Sequence, residues 1–220
     1  MSKVGRPKAH GTDIRLALLS AAEALVNAGG PSSLSVRAVA DEAGTTTRAV
    51  YSVFGSKAGL LEGLAIRLFE LLADAVDSIE LTDDPIADVV TASLLGFRSV
   101  ALGHSSLYNL VFLRVVPDLE LGPEFGRIAT ATFDRLQVLV TRAMAGGEPG
   151  QMSARDAART VHALTEGLAT MELRGAFGPI DDAEARWRNA ITTLMTGIIS
   201  RQTARPSSRP LERQHPPLDG

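Results

Sequence analysis

The segment from Ser33 to Leu61, SLSVRAVADEAGTTTRAVYSVFGSKAGLL, decides the fold of this 220-residue chain. It contains two short stretches with apolar residues at helical spacing, separated by a turn at Gly44. Ser35 and Thr46 stand where N-cap residues are expected, and Ser56 can cap the longer helix that follows. Two helices of about two turns each, joined by a tight turn, have the spacing of a helix-turn-helix.

The second helix of such a pair enters the DNA major groove. The groove is about 12 Å wide, so the side of the helix that faces it must carry small or polar side chains. Here that side consists of Thr46, Thr47, Arg48 and Ser52. Val50 and Phe54 are predicted to turn inward, against the preceding helices. The sequence therefore predicts a DNA-reading helix in this segment.

These residues resemble the TetR family of bacterial transcriptional regulators. The resemblance rests on the alanine-glycine turn, the short polar helix with a tyrosine and a phenylalanine, and the Gly-Ser-Lys that opens the next helix. It covers roughly residues 12–61. Thr45 and Arg48 depart from it, because the family usually has an apolar residue and often a glycine at these positions. The resemblance implies a homodimer that binds a palindromic operator and responds to a small molecule.

Roles at the DNA follow from side-chain chemistry and from this resemblance. Arg48 is suited to bidentate hydrogen bonds with O6 and N7 of guanine, and Thr47 to a thymine methyl group or a base edge. Lys57 can bind a phosphate together with the amides of the helix N-terminus. Arg37 is a further candidate for DNA contact. Hydrogen bonds to phosphate oxygens are expected from Tyr51, Ser35, Thr46 and Ser52. The alternatives are a Tyr51 that is partly core and an Arg48 that is merely solvated.

The first eleven residues are polar and basic and include Gly5-Arg6-Pro7-Lys8. Gly-Arg-Pro is similar to the core of AT-hook segments, in which an extended arginine lies in a narrow A·T minor groove. Pro7 keeps Arg6 extended. Arg6 and Lys8 are therefore predicted to contact DNA, and the alternative is a solvated tail.

The charge distribution separates this N-terminal part from the rest of the chain. Residues 1–60 contain seven Lys/Arg and four Asp/Glu, residues 61–200 eleven and nineteen, and residues 201–220 four and two. The formal net charge of -3 thus hides a small basic head on a larger acidic body, which favours a polyanion-binding module joined to a second unit. The alternative is a chance imbalance.

Apolar periodicity and turn residues predict an all-α chain of about nine helices. We expect a basic flexible arm at 1–11, a helix-turn-helix DNA-binding domain at 12–60 and a ligand-binding and dimerisation domain at 61–201. The segment 202–220 contains four prolines and no apolar period, and is predicted to be disordered. The absence of cysteine fits a cytoplasmic protein. The apolar run at 189–200 is too short to span a bilayer, so no membrane contact is expected.

The body is predicted to hold a small-molecule site. Residues 101–112, ALGHSSLYNLVF, resemble the C-terminal domain of one TetR subgroup that also carries a Trp-His-Gly signature. Gly167 of that signature is kept, whereas His162 and Glu166 stand at the positions that correspond to its tryptophan and histidine. Because a few polar groups amid apolar surface are typical of such a site, the candidate pocket residues are Phe97, Arg98, His104, Tyr108, Phe112, His162, Glu166 and Met171.

A structural role is the alternative for several of these residues. His104 can cap the helix that starts at Ser105, and Arg98 and Arg114 can pair with acids. Arginines at a pocket permit an anionic ligand but do not require one.

The last two long helices carry apolar stripes that suit self-association. Two such hairpins from two subunits can close a four-helix bundle. The alternative is an intrachain core. The candidate interface residues are Ala158, Val161, Trp187, Ile191, Leu194 and Ile198.

The leading hypothesis is therefore a ligand-responsive DNA-binding regulator, a repressor. An all-α enzyme is a second hypothesis, but the chain lacks the usual nucleophile and phosphate-binding motifs. Its best acid–base pair is His162 with Glu166, and its four histidines show no metal-ligand spacing. No catalytic residue, cofactor or metal is therefore expected. A third hypothesis is an architectural DNA-binding protein without a ligand.

Overall fold

The computed structural model describes residues 9–113, 116, 120–145, 152–178 and 182–203. The predicted DNA contacts at Arg6 and Lys8, the possible ion pair of Arg114 and residues 204–220 of the tail predicted at 202–220 lie outside these residues. Residues 9–11 of the predicted arm and 202–203 of the predicted tail are helical.

The described residues form nine helices and no strand, which confirms the prediction of an all-α fold. In chain order the helices are α1 (Ala9–Gly29), α2 (Val36–Glu42), α3 (Thr47–Phe54), α4 (Lys57–Asp77), α5 (Pro85–Gly103), α6 (Ser105–Val111), α7 (Pro123–Met144), α8 (Ala154–Leu173) and α9 (Ala183–Thr203). A 3₁₀ turn at Pro31–Ser33 joins α1 to α2.

The short helices of the head begin at the predicted caps. The side-chain oxygens of Ser35, Thr46 and Ser56 accept hydrogen bonds from the amide three residues later, at 3.1, 3.3 and 3.0 Å. Each bond satisfies one of the amides that a helix leaves without an internal partner. Gly44, between α2 and α3, has φ 62°, a backbone conformation that favours glycine.

We call α1–α3 the head and α5–α9 the body; α4 packs against both. Val39 and Val50 are fully buried in the head core and Phe54 is partly buried, so the predicted inward face of α3 is confirmed. Gly63 of α4 lies under α3, where a Cβ would stand 2.8 Å from Phe54 Cε1. Glycine at this position therefore lets α4 approach the head closely.

Helix α5 runs through the middle of the body and contains π-helical turns over Ala92–Arg98. Asp84 caps its start by accepting hydrogen bonds from the amides of Ile86 and Ala87 at 3.0 Å. Among the described residues, α5 is the one helix long and apolar enough to cross a membrane. Half of its apolar window is buried inside the protein, against α4, α7 and α9, which is the position of a core helix.

The apolar stripes of α8 and α9 pack inside the chain. Ala158, Val161, Trp187 and Ile191 are completely buried and Ile198 nearly so, while Leu194 is half-buried. For the five buried residues, the assignment to a subunit interface is corrected to the intrachain core that the sequence left open. An apolar stripe shows that a helix face is buried, but it does not distinguish burial within a chain from burial between chains.

Candidate functional site

The outer side of α3 presents the side chains that the sequence predicted for base contact. Thr46, Thr47, Arg48 and Ser52 are all exposed. Tyr51 is 53% exposed, so its ring is not part of the core. This surface combines hydroxyl groups with one guanidinium, as a helix in the major groove requires.

The caps leave the hydroxyl groups of Ser35 and Thr46 able to act at a phosphate. In each cap the oxygen accepts a hydrogen bond, and the O–H of the same group can donate to a phosphate oxygen. Lys57 is exposed in the first turn of α4, beside the amides of that N-terminus. Arg37 lies 3.9 Å from Asp41, and both side chains are largely exposed, so this ion pair restrains Arg37 little.

A cation–π contact between α1 and the last residue of α3 was not predicted from the sequence. The Arg15 guanidinium carbon of α1 stands 5.3 Å from the centroid of the Phe54 ring. Such a contact contributes about 0.5–1 kcal/mol at a partly exposed site. It connects α1 to the end of the DNA-reading helix.

A cavity of about 250 Å³ lies in the body between α4, α5, α7 and α8. Two of the predicted pocket residues, Phe97 and His162, line it. The other lining residues are Phe69, Leu72, Val76, Ala92, Ser93, Ala129, Thr132, Phe133, Leu136 and Thr165. The π-helical turns of α5 contribute three of the lining side chains. Wide turns of this kind frequently occur at functional sites.

Aromatic rings surround His162. Its imidazole lies 5.8 Å from the ring of Phe97, 6.2 Å from that of Phe133 and 6.1 Å from that of Phe112. Phe112 also stacks on Tyr108 at 4.9 Å and on Phe69 at 5.9 Å. The predicted residue Phe112 therefore buttresses the cavity wall from behind rather than lining it.

His162 is neutral near neutral pH. Burial lowers its pKa from the ordinary value of 6.5, and the nearby Glu166 carboxylate opposes this shift only in part. His162 Nε2 lies 3.9 Å from Glu166 Oε2, beyond hydrogen-bond distance. The pair predicted as an acid–base candidate is thus a neutral imidazole at the cavity and a partly exposed carboxylate one helical turn further along α8.

The three hydroxyl groups on the cavity wall donate to backbone carbonyls. Ser93 Oγ donates to Val89 at 2.8 Å and Thr132 Oγ1 to Ile128 at 2.9 Å. Thr165 Oγ1 donates to the carbonyl of His162 at 2.8 Å. These hydroxyls can still accept a hydrogen bond from a ligand, but they cannot donate one, because each O–H already donates to a backbone carbonyl.

Two of the predicted pocket residues are instead held in polar contacts within the body. Arg98 forms an ion pair with Glu172 at 2.7 Å, which confirms its alternative role, and Trp187 Nε1 donates to the same carboxylate at 2.8 Å. Tyr108 is buried, and its hydroxyl donates to the Glu166 carbonyl at 3.0 Å. Burial raises the pKa of Tyr108. These are core contacts, so both residues are corrected from cavity lining to structural support.

Three further predicted residues lie away from the cavity wall. His104 precedes α6, where its side chain makes no cap; its Nδ1 instead contacts Glu23 Oε1 at 2.6 Å. Met171 is 46% exposed on the outer face of α8, and Glu166 is partly exposed. Met171 lies on the side of α8 opposite His162, so it points away from the cavity. Glu166 follows His162 by one helical turn and stands beside the wall without lining it.

Most of the cavity wall was missed at the sequence level. Phe69, Leu72 and Val76 of α4 and the lining residues of α7 follow ordinary helical periodicity, which also describes a filled core. The signal that was available is the run of small residues on α7, where Ala129 and Thr132 occupy positions that a larger side chain would close.

Two family models match separate parts of the chain. A model of bacterial regulatory proteins of the tetR family matches residues 18–64, and a model of the tetracyclin repressor-like C-terminal domain matches residues 90–194. The second match does not confirm the Trp-His-Gly subgroup. None of the curated proteins matches the sequence.

Several solved structures share the fold. A protein of unknown function from Rhodococcus sp. RHA1 is 27% identical, with a TM-score of 0.66 over 88% of this chain and 98% of that one. The TetR family regulator PfmR from Thermus thermophilus is 18% identical, with a TM-score of 0.62 over 81% and 97%. NalD, the secondary repressor of the MexAB-OprM multidrug efflux pump in Pseudomonas aeruginosa, is 24% identical, with a TM-score of 0.57 over 86% and 98%.

One family model covers the helix-turn-helix of the head, and the other covers most of the body. This chain therefore belongs to the TetR family of transcriptional regulators and has a DNA-binding N-terminal domain.

Proposed function

We propose that this protein is a cytoplasmic, homodimeric repressor that binds a palindromic DNA operator and is released from it by a small molecule. The observation that carries the proposal is the course of α4. This helix begins with Lys57 beside the DNA-reading helix and places Phe69, Leu72 and Val76 on the wall of the cavity. One rigid element therefore joins the ligand site to the DNA site.

The distance along α4 is short enough for direct mechanical coupling. Lys57 and Phe69 are twelve residues apart, which corresponds to about 18 Å at 1.5 Å per residue. A ligand that displaces Phe69 would tilt α4 and carry Lys57 and the packed head with it. Gly63 supports this transmission, because α4 and α3 are in close contact there.

A second route runs through the end of α5. The π-helical turns of α5 line the cavity, and His104, directly after α5, contacts Glu23 of α1. Movement of α5 would therefore reach the head independently of α4. A ligand shifts the head only if it binds one arrangement more tightly than the other, so both routes require a cavity that changes shape.

The exposed faces of α8 and α9 are the proposed dimer interface, in place of the buried stripes. The exposed charged residues lie mainly in the first half of each helix, and small residues are exposed further along: Ala163, Gly167, Thr192, Thr193, Thr196 and Gly197. A Cβ at Gly167 or Gly197 would meet no atom within 4 Å. Small side chains let helices of two subunits approach closely, and half-buried Leu194 borders the same surface. A dimer would present two α3 helices to half-sites about 34–36 Å apart.

The repressor role is an analogy with relatives such as NalD, which is a repressor, and rests on the shared fold. The cavity favours this function over an architectural DNA-binding protein, because a body that only supports the head needs no internal space.

The proposal can be tested by selecting duplexes from a random DNA pool with the full-length protein. We expect a palindromic consensus, a complex of two chains per duplex and a steep dependence of affinity on salt. Arg48→Ala should relax the consensus at one position of each half-site, and Asp13→Asn, an exposed change on α1, should leave the consensus unchanged. Selection of duplexes without any consensus would support an architectural protein instead.

A further inference from the structure

We propose that the effector is an uncharged, mainly apolar molecule of about ten non-hydrogen atoms whose single polar group hydrogen-bonds to His162. The inference rests on the proposed function, since it assigns a chemical class to the ligand of the same cavity.

The size follows from the cavity volume. An apolar cavity of about 150 Å³ accommodates benzene. In proportion, the cavity of about 250 Å³ accommodates on the order of ten non-hydrogen atoms. The part of the effector that the cavity holds thus has the size of a ring compound with a small substituent.

The absence of charge follows from the lining. None of the residues that line the cavity is Asp, Glu, Lys or Arg. The nearest guanidinium on α5, that of Arg98, is engaged by Glu172 with two hydrogen bonds from Nε and Nη2 at 2.9 and 2.7 Å. The Glu166 carboxylate lies 3.9 Å from His162 Nε2 but does not line the cavity, and it is partly exposed to solvent. An ionic ligand in this cavity would therefore lose its hydration without gaining a counter-charge on the wall, which is strongly unfavourable.

The polar group of the ligand is inferred from the hydrogen-bonding groups on the cavity wall. Ser93, Thr132 and Thr165 donate their protons to backbone carbonyls, so they can only accept from a ligand. His162 carries a neutral ring, which can donate through one nitrogen and accept through the other. Its imidazole lies between the rings of Phe97 and Phe133, so a ring-bearing ligand can contact aromatic faces and this imidazole together.

A sterically matched series of probes tests the class. Isopropylbenzene, acetophenone, benzoate and benzamidinium have the same number of non-hydrogen atoms and differ in polarity and charge. Binding to the full-length protein at about pH 7.5, where the imidazole is neutral, is measured by calorimetry and by ligand-detected NMR. We expect acetophenone to bind most tightly, isopropylbenzene about tenfold more weakly, and neither ion to bind. Tighter binding of benzoate or benzamidinium, or no binding of any probe at millimolar concentration, would overturn the inference.

Substitutions in the cavity test where the probe binds. Ala129→Leu fills the cavity and should abolish acetophenone binding, whereas Ala131→Leu, on the exposed side of the same helix, should leave it unchanged. His162→Phe should reduce the preference for acetophenone over isopropylbenzene from about tenfold to about equal, and His162→Gln should restore part of it. An unchanged preference in His162→Phe would remove His162 from ligand recognition.

Different experimental results would contradict the proposed ligand class and the proposed regulatory function. Acetophenone that binds through Ala129 and His162 without releasing DNA would support the class and contradict induced release. Release of DNA by a charged molecule that binds in the cavity would support the function and contradict the class.

Discussion

Glu23 and His104 meet across the boundary between head and body, with Glu23 Oε1 2.6 Å from His104 Nδ1. Both side chains are partly buried, and 81 residues of chain separate them. Glu23 belongs to α1, and His104 stands between α5, which lines the cavity, and α6. The contact gives the cavity a polar connection to the head that does not involve α4.

Glu23→Gln should weaken this connection. A neutral amide oxygen makes a weaker hydrogen bond with His104 Nδ1 than the carboxylate does, so we expect ligand to release DNA less effectively, by about three- to tenfold in the coupling factor. The ligand affinity of the DNA-free protein should stay within about twofold. Fluorescence anisotropy of labelled operator, titrated with ligand, measures both quantities. Asp13→Asn removes the same charge from an exposed position of α1 and serves as control; equal effects of the two variants would contradict a specific role for Glu23.

Substitution of Arg48 and substitution of Lys57 should weaken DNA binding in different ways. Arg48→Ala should cost about 1–3 kcal/mol at the preferred operator and relax the choice of base at one position of each half-site. Lys57→Ala should weaken binding uniformly across sequences and lower the slope of log affinity against log salt by about 1 per subunit. Affinity measured for operator variants over a range of salt separates the two. A uniform loss in Arg48→Ala would place Arg48 at the backbone.

Gly197→Arg should produce monomers that remain folded. A Cβ at this position would meet no atom of its own chain within 4 Å, and an arginine there would stand in the proposed interface. We expect unchanged helicity by circular dichroism, monomer mass by light scattering and loss of cooperative operator binding. Gly126→Arg is the matched control, because Gly126 is also exposed on a helix with no neighbour within 4 Å. A dimeric Gly197→Arg protein would move the interface elsewhere.

Asp88 should make the body sensitive to acid. Burial opposes ionisation of this carboxyl, but hydrogen bonds from Thr82 and Arg142 outweigh burial and lower its pKa below 3.8. The stabilisation is therefore complete above pH 3.8, the ordinary value, and is lost as the pH falls through the lower folded value. Asp88→Asn removes the charge that Arg142 requires, so we expect a loss of about 2–4 kcal/mol in the free energy of unfolding at about pH 7.

Urea unfolding of wild type and Asp88→Asn at about pH 7 and about pH 3 measures this effect. The difference between the two proteins should shrink at the lower pH, because wild-type Asp88 approaches protonation there. Asp83→Asn, an exposed change in the same loop, should have little effect at either pH. A difference that does not change with pH would mean that packing, rather than charge, makes Asp88 important.

The head could be predicted from sequence in detail because its determinants are local. A cap hydroxyl acts on an amide three residues away, and Gly44 acts on its own turn, so Ser35, Thr46 and Ser56 were identified with their roles. The body was predictable only as helices. Phe97 and His162 were correctly chosen for the cavity wall, but Arg98 and Tyr108 were not, because their partners Glu172 and Thr170 lie 74 and 62 residues away.

Local sequence specifies the helices, their caps and the side of α3 that meets solvent, because each depends on residues within one or two turns. Which helix faces are buried, and against what, depends on how the helices pack together. Trp187 and Ile191 look like interface residues in a periodic stripe, yet they pack inside one chain. The cavity is a space that four helices enclose and their side chains leave unfilled, and its volume and neutral lining depend on packing that no local pattern encodes.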